Sequence, residues 1–168
     1  GTLNNAATGT LKGSALQLTA TDVNTFTNRG LINGTDTRID SATVNNLGTG
    51  RIYGDTVSIA ATTLTNAAEA VNGITQAPVI AARERLDLGV TTLANQDGAL
   101  IFSAGDLAIG GSLDGNRRAT GSAATIENTS AGIESLRDLV IDASSLVNQR
   151  RTLNITRADM AAAGFSPS

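Results

Sequence analysis

The sequence predicts an all-β chain, a right-handed parallel β-helix (β-solenoid) of about seven coils of roughly 20 residues. Three observations predict it. An apolar–x–Asn element recurs along the chain, a second series of apolar pairs keeps step with it, and the period within each unit is two.

The first series ends on Asn5, Asn28, Asn46, Asn66, Asn95, Asn128 and Asn148, each preceded two positions earlier by Leu, Phe, Val or Ile. Subtracting successive Asn numbers gives 23, 18, 20, 29, 33 and 20. The two long spacings read as a 20-residue unit carrying an insertion, near 67–78 and near 110–124. The second series is Leu16/Leu18, Val57/Ile59, Leu86/Leu88, Leu107/Ile109, Leu139/Ile141 and Leu153/Ile155, with Thr37/Ile39 keeping one apolar member. A third element, Gly–x–apolar–x–Gly, begins at Gly9, Gly30 and Gly50.

Alternation at period two marks strands with one buried face. The runs are too short and too often broken by Gly for useful helices. A leucine-rich repeat needs Asn three residues after its strand pair, but Thr62 and Thr91 stand there. A parallel β-helix instead stacks each unit on the next, about 4.8 Å apart. Its seven asparagines are expected at structural corners, where Asn tolerates left-handed backbone and its amide bonds the backbone or the next Asn in a ladder. Residues 1–156 are therefore expected to form the repeat domain. Residues 157–168 leave the pattern and read as a boundary or tail, in which Asp159–Ala163 has the composition of a short helix start.

Length and composition narrow the function. The chain has 168 residues, 40% apolar and 16% charged, with no Cys, no His and no Trp. No disulfide, thiolate site or Ser–His triad is available, and no cofactor is expected. An aromatic content of 2% leaves few rings to stack on sugars or bases. The net charge of −3 is scattered, and the pairs Arg117-Arg118 and Arg150-Arg151 are too small for a polybasic segment, so no nucleic-acid partner is expected. No run approaches the ~20 apolar residues of a membrane helix. The chain opens at Gly1 inside a repeat, and we expect it to be a piece of something larger.

Some β-helix proteins are lyases or hydrolases, which gather carboxylates on one face. Asp36 with Asp40, and Asp138 with Asp142, sit four apart on one side of a strand; Asp87, Asp106 and Asp138 flank the apolar pairs of different units. Solvated outer-face charge explains them more simply than catalysis or calcium. Gly110-Gly111-Ser112-Leu113-Asp114 starts like a calcium nonapeptide, but Leu113 replaces the required Gly and the motif does not repeat. Sequons occur at Asn33, Asn128 and Asn154. Insertions must leave a solenoid as surface loops. In the second insertion Asp114, Arg117 and Arg118 are the candidate partner contacts.

The interleaved L-x-N, G-x-[LI]-x-G and L-x-L elements resemble the haemagglutinin-type repeats of large bacterial exoproteins secreted by the two-partner route. That group includes filamentous haemagglutinin-like adhesins and the stalks of contact-dependent growth-inhibition toxins. The resemblance spans Leu3 to Ile155. It implies a non-enzymatic structural or adhesive segment of a filament that is secreted or displayed on the outer-membrane surface. The partners it implies are a target-cell receptor or glycan, the rest of the same exoprotein, and an outer-membrane secretion partner. A β-helix carbohydrate-active enzyme or autotransporter passenger, and a pure spacer with no ligand, are the competing readings.

Overall fold

The computed structural model describes residues 1–19 and 24–151. Among these the chain is all β, without a helix, from strand Thr2–Asn5 to strand Ala143–Gln149. Thirteen strands join one sheet, and every pairing in it is parallel. Such an architecture is compatible with a β-helix. Leu153, Asn154, Ile155 and the tail 157–168 lie outside the described residues.

The register explains the repeat. Strand Thr25–Asn28 pairs with Thr43–Leu47, which pairs with the end of Arg51–Ala67, which pairs in turn with the end of Val79–Gln96. Phe26, Val44, Leu64, Leu93 and Ile126 therefore fall in one inward column, all essentially fully buried. Ile32, Ile52, Ile80 and Ile101 form a second column, and Val57, Leu86 and Leu107 belong to a third. Ile39, Ile59, Leu88 and Ile109 make the fourth. Alternation within residues 31–34 and again within 36–40, on either side of exposed Thr35, sends the intervening side chains outward. Each buried Ile or Leu stabilises the stack by about 1.5–3 kcal/mol.

Thr37 occupies an apolar slot between Leu16 and Val57 and is fully buried. Its Oγ1 donates to the Tyr53 carbonyl at 2.8 Å, which removes the cost of burying a hydroxyl there.

The same columns open at both ends of the described chain. Leu3 is 39% exposed, Leu139 46% and Leu146 52%, although each holds a position that is buried in the middle. Sequence pattern assigns the face, but burial also needs a neighbour on each side along the stack.

The two stretches expected to carry extra length each hold a short antiparallel hairpin rather than an irregular loop. Glu69–Val71 pairs with Ile74–Gln76 around Asn72 and Gly73, whose φ values of 52° and 78° suit the tight Asn-Gly turn. Ser112–Leu113 pairs with Ala119–Thr120. A β-bulge interrupts the central pairing between Gly54 and Thr56, where Arg83 and Glu84 together oppose Asp55.

Candidate functional site

Two constellations of polar side chains stand out, one inside the stack and one on its outer face. Inside, the seven repeat asparagines share one register. Each Nδ2 donates to the Oδ1 of the next, from Asn5 through Asn28, Asn46, Asn66, Asn95 and Asn128 to Asn148, at 2.8–2.9 Å. The second amide hydrogen reaches a backbone carbonyl, as from Asn46 to Val79 and from Asn95 to Gly132. All but Asn148, at the open end, are buried. None of the seven takes a positive φ; left-handed backbone falls two residues later, at Gly48, Asp97 and Ser130. The amides build the ladder, and the turn after it takes the unusual backbone. Asn128, one of the sequons, is committed to this ladder.

Outside, three neighbouring columns bring six charged side chains together. Asp36, Thr56, Arg85 and Asp106 share the first; Arg38, Ser58 and Asp87 the second; Asp40 and Gly89 the third. Asp87 is 3% exposed, and its carboxylate is fully engaged. Arg85 donates to it from Nε at 2.7 Å and Nη2 at 3.0 Å, Arg118 from Nη1 at 3.3 Å, and the Ala119 amide at 2.9 Å. Arg85 also reaches Asp106 at 3.3 Å.

The 112–120 hairpin folds down onto this face. Gly89 makes that approach feasible, since a Cβ there would lie 2.4 Å from the Ser112 carbonyl carbon. Asp114 holds the hairpin end, accepting the amides of Asn116 and Arg118 at 2.8 Å each. Arg117, with a φ of 63°, turns back to donate to Asp40 at 2.6 Å and to Ser58 Oγ at 3.0 Å. Asp114 and the two arginines are thus brought together, with the arginine side chains engaged against the molecule's own face. Ser58, Arg85 and Asp40 complete the cluster. Sequence proximity gives no sign of this cluster, because the hairpin contacts a strand 59 residues away.

A cleft of about 120 Å³ remains, lined by Asp36, Arg38, Ser58, Asp87, Arg117 and Arg118 among others. Hydrogen bonding from Arg38 holds the Asp36 carboxyl below its usual range, assisted by Thr56 and opposed by partial burial. Hydrogen bonding to Asp87 raises the Arg85 guanidinium, against desolvation. Carboxylates kept ionised by arginines are poor proton donors near neutral pH. Among the described residues no three carboxylates gather as a metal cluster. Asp138 lies outside this cluster, with its backbone carbonyl accepting the Leu107 amide.

The first hairpin is fastened similarly. Arg29 donates to Glu69 through Nε and Nη2 at 2.7 Å each, and this hydrogen bonding holds the Glu69 carboxyl below its usual range. Compared with known proteins, the chain matches no protein-family model, no curated protein and no solved structure.

Proposed function

We propose that the chain is a right-handed parallel β-helix of about seven coils. In this reading it serves as a structural and adhesive segment of a large secreted bacterial filamentous exoprotein. Its stacked coils supply reach and its outer surface meets a receptor or glycan on a target cell, for adhesion or for contact-dependent toxin delivery. The parent filament leaves through an outer-membrane secretion partner and stands on, or is released from, the cell surface.

The observation that carries this reading is the continuous asparagine ladder in parallel register. It repeats one cross-section along an axis, so stiffness and length come from repetition rather than from a closed core. The arginine-paired carboxylates give no free acid and base on the charged face, which favours contact over catalysis there.

Fluorescently labelled protein incubated with intact epithelial and bacterial cells tests the proposal. Saturable binding supports an adhesive segment, and loss of it on deleting 110–124 assigns the contact to that hairpin. Absence of binding to every cell type reduces the segment to a spacer. Turnover of a polysaccharide that is abolished by changing Asp106 or Asp138 would replace the reading with an enzyme.

A further inference from the structure

Tyr53, Ala81 and Phe102 are register partners on three successive strands. Their inward neighbours Ile52, Ile80 and Ile101 are fully buried, so all three side chains point outward. Two aromatic rings thus stand in one column with a methyl group between them, their Cα atoms about 9.6 Å apart from twice the strand spacing. Gly54, Ala82 and Ala104 complete a small-residue floor, leaving a hollow of about 230 Å³ edged by Asn33 and Arg83. The composition suggested too few rings for sugar binding. Two of the chain's four Phe and Tyr residues are nonetheless placed together on one outer face.

The chemistry at the rim narrows the ligand. The bulge opposite Asp55 turns Arg83 outward, where it pairs with Asp55, and the column runs on to Lys12 beside Asn33 and Glu134 beside Phe102, one charge of each sign. Among the described residues the Asn33 amide and the Tyr53 hydroxyl have no side-chain partner in the protein and are free to bond a ligand. The backbone of these strands is already paired on both sides, so an added peptide strand has no edge to join. The hollow is smaller than one enclosing a drug-sized molecule, and it is open to solvent, which suits part of an extended chain.

We propose that this hollow binds an uncharged saccharide chain lying along the column, one sugar ring against Tyr53 and a later one against Phe102. The C–H faces of the rings pack on the aromatic faces, while sugar hydroxyls bond Asn33, the Tyr53 hydroxyl and Arg83. This rests on the adhesive reading above and names its ligand class.

Tyr53 is the only Tyr and there is no Trp, so intrinsic fluorescence reports on the site directly. Neutral gluco-, manno- and chito-oligosaccharides of four sugars are titrated against the protein. We expect a saturable change with at least one series, and at least tenfold weaker binding in Phe102→Ala. Ala81→Leu fills the hollow from the outer face, and is expected to abolish binding while leaving the circular dichroism and Tm unchanged. No response to any neutral series would overturn the site, as would binding unaffected by Ala81→Leu, or response to sulfated saccharides or peptides alone. Cell binding without a response to any neutral saccharide would overturn the site and leave the adhesive reading standing. Saccharide binding without cell binding would do the reverse.

Discussion

Arg117 and Asp40 lie 77 positions apart in the chain, and their guanidinium and carboxylate meet at 2.6 Å. This contact, with the bond from Arg117 to Ser58, ties the second hairpin to the outer face of strands formed much earlier in the sequence. Arg117→Ala removes both. We expect a loss of about 1 kcal/mol, because the pair is only partly sheltered. Amide hydrogen exchange of Ser112–Thr120 should speed up while that of the asparagine strands stays unchanged. Uniform loss of protection would mean that the hairpin is part of the cooperative core.

The ladder makes a sharper prediction. Asn66 is fully buried, accepts from Asn46, and donates to Asn95 and to the Leu100 carbonyl. Asn66→Ala leaves those groups without partners in the interior, at a cost of about 3 kcal/mol. Asn148→Ala, at the open end, should cost below about 1 kcal/mol. Urea unfolding midpoints of the two variants provide the comparison; equal losses would remove burial as the source of the ladder's strength.

The apolar columns can be probed in the same way. Ile59 is fully buried. Ile59→Ala should destabilise by about 2–5 kcal/mol through the cavity it leaves, and Ile59→Asp, with an unpaired charge, should unfold the protein. Wild-type stability in Ile59→Asp, measured by thermal denaturation, would place this residue outside the core.

Acid should weaken the outer contacts first. Asp36 and Glu69 are both held below the usual carboxylate range by arginine hydrogen bonds, from Arg38 and Arg29 respectively. A carboxyl depressed in the folded state contributes its stabilisation above the unfolded pKa, and loses it as pH falls through the folded one. Tm should therefore hold from neutral pH down to about 4, the ordinary carboxylate range, and decline below it. The double variant Asp36→Asn, Glu69→Gln should show a shallower decline. An unchanged acid slope would assign it to other carboxylates.

What the sequence made legible follows from periodicity. Leu64, Leu93 and Ile126 could be placed on one inward column because each stands two positions before an Asn that recurs with them. Thr37 fits the pattern only by position, and its tie to the Tyr53 carbonyl arises from the fold. The exposure of Leu139 and Leu146 was not legible, since their residue types match buried counterparts and only their place at the end of the described stack differs. Arg117 and Arg118 read as free contacts because sequence distance gave no sign that Asp40 and Asp87 lie beneath them. The hollow at Tyr53 is hidden in the sequence for the same reason. Its two aromatics are 49 residues apart and become neighbours only when the register is counted strand by strand.

That register is the central claim, and cross-linking tests it most directly, because the chain has no cysteine of its own. Asn45 and Thr65 are register partners that face outward on adjacent parallel strands. Their Cα separation, near the strand spacing, falls in the range a disulfide spans. Asn45→Cys with Thr65→Cys should oxidise rapidly in the folded protein, whereas Asn45→Cys with Thr63→Cys, one pleat out of step, should not. Preferential closure of the 45–63 pair would contradict the register, and with it the ladder on which the account stands.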